Sequence, residues 1–235
     1  MLEEILKSGF GQMGVRCGDT ELERFRIYYD YLTEINAVMN LTAITGEEDT
    51  ARLHFLDCGA LLNAADLASK SVIDVGTGAG FPGLVLKILE PDIRLTLLDS
   101  LDKRVNFLSE TCKRLGFDDV KCVHARAEEA PPELRGSFDA AVSRAVARLN
   151  VLCELCLPLV RQGGVFAAMK GPDCAGELAE AGTAIRVLGG SFDRTYSYAI
   201  PDTDVSHSAI LIKKDGITNA KYPRRWAQIK SKPLI

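Results

Sequence analysis

No run in the 235 residues approaches the roughly 18 consecutive apolar residues that span a bilayer. The opening stretch MLEEILKSGF carries acids where a secretory leader needs a basic start and an unbroken apolar segment. There are only three histidines, His54, His124 and His207, and they show no metal-ligand spacing. The seven cysteines are odd in number and scattered, unlike the even, spaced set of a secreted disulfide framework. Cys153 and Cys156 form a lone CxxC inside LNVLCELCLPL. With no second ligand pair, that segment reads as an apolar helix whose thiols pack as small hydrophobes. No region is poor enough in apolar side chains to stay unfolded, since 47% of residues are hydrophobic and 26% charged. Together these absences lead us to expect a cytoplasmic protein with one main core, no metal centre and no membrane contact.

What the sequence does contain begins with helical periodicity. Leu22, Phe25, Tyr28 or Tyr29, Leu32 and Ile35 recur at helical spacing, and Thr20 with Glu23 is spaced as a capping box. Residues 1–65 are therefore expected to form a helical lobe, which includes a helix from Glu47 through Leu62. From Ser71 the pattern changes to short apolar runs: SVIDVG, RLTLLDS, VKCVHA, FDAAVSR and GGVFAAMKG. Helices expected at 80–89, 102–115, 149–160 and 175–188 alternate with them, which is the signature of βαβ units and a parallel sheet. SFDRTYSYAI and SHSAILIKK have no helix between them and suit a strand pair at one sheet edge. The expected division is a lobe over 1–65, an α/β core over 66–214 and a tail over 215–235. At that end Lys213, Lys214, Lys221, Arg224, Arg225, Lys230 and Lys232 face one acid, Asp215, although the whole chain is net −4. A basic end on an acidic body suits a polyanionic partner, and its composition fits a solvated terminus equally well.

The most informative stretch is VIDVGTGAGFPG, residues 72–83. A buried strand runs into a turn in which Gly76, Gly78 and Gly80 let the main chain bend sharply and approach a ligand, and Pro82 suits the first turn of a helix. Alone, such a turn serves dinucleotides, phosphates or S-adenosylmethionine. Asp99 lies 23 residues past Gly76, at the end of the next strand, where a carboxylate meets ribose hydroxyls. Asp74 repels a pyrophosphate but suits a sulfonium and an ammonium, which favours S-adenosylmethionine over NAD. Ala127 and Glu128 follow the third strand, where a main-chain N–H and a carboxylate can address adenine. Ser143 and Arg144 end the fourth, at the carboxyl edge where open α/β sheets bind ligands.

IDVGTGAGFPG, LLDSLDKRVNFL, RAEE, SRAVARL and MKG occur in that order, accompanied by MNLTAI, HFLDC and KYPRRWAQIKSKPL. This set resembles the glucose-inhibited division protein B family, bacterial methyltransferases acting on a guanine N7 of 16S rRNA, and the likeness covers nearly the whole chain. The resemblance implies a class I AdoMet-dependent methyltransferase fold, a Rossmann-like α/β sheet with an N-terminal helical lobe. It implies S-adenosyl-L-methionine as methyl donor and 16S rRNA of the small ribosomal subunit as partner, with no DNA and a monomeric chain. Position by position it implies donor contacts at Gly76, Phe81, Ala127, Glu128 and Arg144, with Asp99 in the ribose role. RNA contacts are expected at Asn40, His54, Lys170, Arg224 and Arg225. The tail departs from the family in carrying Trp226 where relatives are small or basic.

Guanine N7 has an available lone pair, so methyl transfer to it needs no prior deprotonation, and no acid, base or nucleophile is assigned. Arg144 and Lys170 are the candidates beside the acceptor, steering guanine O6 or a phosphate. The sequence has neither an Asn-Pro-Pro-Tyr motif for exocyclic amines nor a Pro-Cys loop for attack at a pyrimidine. Two other readings stay open on sequence alone. One is a methyltransferase of a small molecule or protein, with Tyr196 and Tyr198 lining its cleft; the other is a nucleotide-binding module without chemistry.

Overall fold

The computed structural model describes residues 1–144 and 146–235. The short apolar runs become seven strands of one sheet: β1 (Ser71–Val75), β2 (Arg94–Asp99), β3 (Lys121–His124), β4 (Phe138–Arg144), β5 (Val160–Lys170), β6 (Gly190–Ala199) and β7 (Ser206–Lys214). Their order is β3-β2-β1-β4-β5-β7-β6. Pairings from β3 through β5 are parallel, whereas β7 runs antiparallel to both β5 and β6. The strand order reverses between β1 and β4, and that switch point opens a crevice at the carboxyl ends of the strands. Alternate residues fill the two faces. Val72, Leu95, Leu97 and Val142 join the helical lobe's core, and Ile73, Val75, Ala141 and Phe166 join a second core on the other side.

Four helices connect the strands: α6 (Gly83–Leu89), α7 (Asp102–Leu115), α8 (Leu149–Cys156) and α9 (Ala175–Val187). Helix α6 starts three residues later than its pattern suggests because the glycine turn occupies the intervening chain, with Gly80 at φ 105°. Helix α8 stops at Cys156, short of the expected 160, because Pro158 cannot continue it. Cys153 and Cys156 are buried within α8.

The lobe is built from α1 (Leu2–Gln12), α2 (Asp19–Met39) and a segmented third stretch. The single helix expected from Glu47 to Leu62 is instead α3 (Glu47–Thr50), a π-helical segment (Ala51–Leu56), α4 (Asp57–Gly59) and α5 (Leu61–Ala64). The start of α2 also differs from the Thr20/Glu23 capping box. Gly18 precedes the helix, and its N–H donates to Glu21 Oε2 at 2.7 Å. Of the two tyrosines, Tyr28 faces inward and is fully buried. Its hydroxyl donates to the Ala79 carbonyl at 2.5 Å, which ties the lobe directly to the glycine turn. Phe25 and Phe55, with ring centroids 4.8 Å apart, continue that aromatic seam, and Arg26 bonds Glu3 and Glu47 across the lobe.

The tail does not behave as the solvated terminus its composition allows. Arg135 donates to the carbonyls of Tyr222, Thr218 and Asn219 at 2.6, 2.8 and 3.0 Å, and Tyr222 and Ile229 enter the second core. The last helix, α10 (Trp226–Ser231), begins at the crevice. No helix among the described residues is long and apolar enough to cross a membrane.

Candidate functional site

β1 ends in Val75, and the main chain then turns through Gly76 at φ 72°, Gly78 at φ 62° and Gly80 at φ 105°. These are left-handed conformations that a side chain disfavours. The three glycines serve two ends. A Cβ on Gly76 would stand 2.6 Å from Val146, and one on Gly80 would stand 2.5 Å from Leu84 and 2.6 Å from the Tyr28 hydroxyl, so both are required by packing. A Cβ on Gly78 would meet nothing within 4 Å among the described residues and would project into open space on the cavity wall. The bare main chain at Gly78 is therefore a cradle facing a ligand.

Asp74 is fully buried beneath this turn. Its Oδ2 accepts the Thr77 hydroxyl at 2.6 Å and the Gly83 N–H at 2.8 Å, while Oδ1 has no partner among the described residues. The sequence suggests a direct ligand contact for Asp74, but the structure puts it behind the turn and off the cavity wall, where it fixes the loop. It also occupies the N–H at the start of α6. Gly80 likewise lies behind the wall and acts through packing.

Burial pushes the Asp74 carboxyl up to about 7, against the pull of its bonds from Thr77 and Gly83. Because the folded value exceeds the ordinary one, the unliganded fold loses stability as pH rises from about 4 to above 7. The full span is worth on the order of 4 kcal/mol. Asp74→Asn should flatten the pH dependence of the urea midpoint over that range. An unchanged slope in the variant would contradict this assignment.

The cavity at the carboxyl edge measures about 970 Å³, at the upper end of the ~300–1,000 Å³ typical of ligand sites. It has two halves. Gly76, Gly78, Asp99, Ala127 and Glu128 wall the first, all from the ends of β1, β2 and β3. Asp99 is buried there, accepting the N–H of Gly78 and of Leu101 at 2.9 Å each, so acid and glycine turn are held in one piece. Leu41, Thr42, Ile44, Leu53, Val205 and His207 wall the second half, from the lobe, the β6–β7 connection and the start of β7.

Arg144 and Phe81 link the halves, with the guanidinium 4.9 Å from the Phe81 ring and both residues in contact with the lobe. Arg144 ends β4 and is held by the lobe. It donates to the Leu53 carbonyl at 3.1 Å, to Asp57 Oδ2 at 3.0 Å and to His54 Nδ1 at 2.7 Å. Since arginine only donates, His54 Nδ1 accepts, and Nε2–H donates to the Thr42 hydroxyl at 2.8 Å. Burial and the charge of Arg144 push His54 down to about 3, so its ring is neutral, stacked 4.2 Å from Phe81. Asp57 also accepts the Tyr198 hydroxyl and His207 Nδ1–H, each at 2.8 Å on Oδ1. Although burial opposes ionisation of Asp57, the bond from His207 and the charge of Arg144 hold its carboxyl below the usual value. The π-helical segment carries His54, with Asp57 next after its end, and sets both against Arg144. Wide turns of this kind concentrate at functional sites.

The structure therefore brings together Gly76, Gly78, Phe81, Asp99, Ala127, Glu128, Arg144, His54 and Lys170 on one cavity wall. Lys170 is engaged, with Nζ 2.7 Å from the Ala147 carbonyl and 2.7 Å from Glu177, so it braces the loop after β4. Three expected RNA contacts lie elsewhere. Asn40 is an exposed left-handed cap of α2. Arg224 is committed to buried Glu154 through its N–H at 2.9 Å, Nε at 2.8 Å and Nη2 at 2.7 Å, which makes it a tail anchor. Arg225 is exposed at the start of α10, beside Trp226 on the cavity rim. Sequence reasoning missed Asp57, Tyr198 and His207 as a unit. The one local signal was Asp57 following His54 by three residues in HFLDC.

The fold recurs among solved structures. A SAM-dependent O-methyltransferase from Thermotoga maritima matches with a TM-score of 0.55 at 15% identity, covering 80% of this chain and 72% of that one. TrmN from Thermus thermophilus matches with a TM-score of 0.53 at 20% identity, covering 68% and 48%. At such identities the likeness carries the fold: this is a class I AdoMet-dependent methyltransferase fold. The sequence pattern of the rRNA small subunit methyltransferase G family (GidB) matches residues 21–201. Ribosomal RNA small subunit methyltransferase G of Clostridium botulinum (strain Loch Maree / Type A3) is 44% identical over 98% of both chains. Its namesake in Alkaliphilus metalliredigens (strain QYMF) is 46% identical over the same shares. The chain belongs to the rRNA small subunit methyltransferase G family.

Proposed function

We propose that the protein transfers a methyl group from S-adenosyl-L-methionine to N7 of a guanine in 16S rRNA of the small ribosomal subunit. The observation that carries this reading is the two-part cavity. A glycine-and-acid half at the sheet edge adjoins a half walled by the helical lobe, with Arg144 linking them. Bound in the first half, the donor supplies an electrophilic methyl on a sulfonium. Gly76, Gly78, Asp99, Ala127 and Glu128 would hold it, and the open space before Gly78 leaves room for it against the bare main chain.

The protein's own work is positioning. Arg144, fixed by three groups of the lobe and the ring of Phe81, keeps the boundary between the halves rigid. Such orientation supplies about 7–11 kcal/mol in well-aligned reactions, enough without a general base. The three-part division of the chain follows as part of the proposal: the lobe over 1–65 walls the acceptor half, the core over 66–214 holds the donor, and the tail over 215–235 presents cations at the rim.

Labelled S-adenosylmethionine and small subunits from cells lacking the enzyme test this reading. Label should appear on one guanine of the RNA, at a site that chain cleavage after borohydride reduction and aniline reports as N7-methylated. Label on another base, or on ribosomal protein, would contradict it.

A further inference from the structure

The acceptor half contains a titratable side chain for which the scheme above has no task. His207 lies near the start of β7, paired in register with Tyr198 on β6, and its ring meets the Tyr198 ring edge-on at 6.4 Å. Its Nδ1–H is spent on Asp57 at 2.8 Å, whereas Nε2 has no hydrogen-bond partner among the described residues. The side chain is 31% exposed and stands on the cavity wall with Thr42, Ile44, Leu53 and Val205.

The neighbouring polar groups are already engaged. Arg144 is used by Leu53, Asp57 and His54, both ring nitrogens of His54 are bonded, and Lys170 is held by Ala147 and Glu177. The charged groups facing His207 are Asp57 and Arg144, with the neutral hydroxyl of Tyr198 on the adjacent strand. The hydrogen bond to Asp57 raises His207 above the ordinary imidazole value, while burial and Arg144 oppose it. Its cation therefore persists to higher pH than a free histidine's and is lost as pH climbs through that raised value.

We propose that His207 is a substrate-positioning residue whose Nε2–H donates to an acceptor oxygen of the nucleotide being methylated, guanine O6 or an adjoining phosphate. A donor to either oxygen holds the purine in the second half of the cavity and leaves the N7 lone pair open toward the methyl. The inference rests on the guanine reading above. Asp57 sets the ring's orientation, and Tyr198 keeps Asp57 satisfied when His207 is absent, so replacing His207 should leave the network folded.

The test is the rate of methyl transfer to undermethylated small subunits from pH 6 to 9, for the wild type, His207→Gln and His207→Arg, with calorimetric donor affinity alongside. In the wild type, KM for subunits should rise about tenfold or more as the cation is lost, the scale of a hydrogen bond to a charged group, with kcat steady. His207→Gln should show the high KM at every pH and His207→Arg the low one, and donor affinity should be the same in all three. The salt slope of KM separates the two oxygens. A phosphate contact makes the wild-type slope steeper than that of His207→Gln by about 0.7–0.9, and an O6 contact leaves the slopes equal. Normal KM and pH profile in His207→Gln, with N7 methylation intact, would overturn this inference alone. Failure of His207→Arg to restore low KM would do the same. No transfer to subunits by the wild type would overturn the guanine reading and this one with it.

Discussion

Asp57→Ala is expected to be the most damaging single change in the protein. The carboxylate is 2% exposed and accepts bonds from Arg144, Tyr198 and His207. Its removal leaves a buried guanidinium with no counter-charge, a situation that costs about 3–5 kcal/mol. For a chain of this size each kcal/mol moves the melting temperature by about 2–4 °C. A fall of roughly 10 °C or more by calorimetric scan is expected. Asp57→Asn, which can still accept one or two of those bonds, should fall less. The cavity wall should loosen at the same time, because Arg144 then keeps only Leu53 and His54. A melting temperature within a degree or two of the wild type would mean that Arg144 is not held as described.

The second large effect is expected from Gly80→Ala, which alters the turn without touching the cavity. At φ 105° the new residue meets a backbone penalty of at least about 1–2 kcal/mol. Its methyl must also displace both Leu84 and the Tyr28 hydroxyl, and overpacking of that kind costs about 1–3 kcal/mol. Stability and donor affinity should both drop, because the same shift breaks the bond from Tyr28 to Ala79 and moves the turn that presents Gly78. Gly78→Ala provides the contrast. It has space for the methyl, so it should fold with only the backbone penalty and lose affinity by filling the ligand's place. Equal donor affinity in Gly80→Ala and the wild type would show that the turn is not the donor's cradle.

Much of this architecture was legible in the sequence because its signals are local. A strand running into alternating glycines, an acid at the end of the next strand and an arginine at the end of a third need only period and spacing to be seen. Seven apolar runs marked seven strands, and the absence of a helix between the last two marked a strand pair at one sheet edge. What stayed hidden depends on distance along the chain. His207 is 150 residues from Asp57, and Tyr198 is 141. The two become neighbours of Asp57 only because β7 inserts between β5 and β6 and brings their ends over the lobe. Tyr28 and Tyr29 are indistinguishable by period until Ala79 presents its carbonyl to one of them. The π-helical segment was invisible for a related reason: its residues suit an α-helix, and the wider turn is stabilised by the partners of His54 and Asp57 rather than by propensity. Arg224 misled for the opposite reason. A basic tail signals phosphate contact, but this guanidinium is taken by Glu154, a buried acid on an apolar helix that carries no mark of its role.

The central claim is that the crevice at the β1–β4 switch point is built for a sulfonium nucleoside. A calorimetric titration of the purified protein with S-adenosylmethionine and, separately, NAD tests it most directly. One site per chain for the first and no measurable heat from the second are expected. Binding of NAD with equal or greater affinity, or no binding of S-adenosylmethionine at millimolar concentration with small subunits present, would contradict the account.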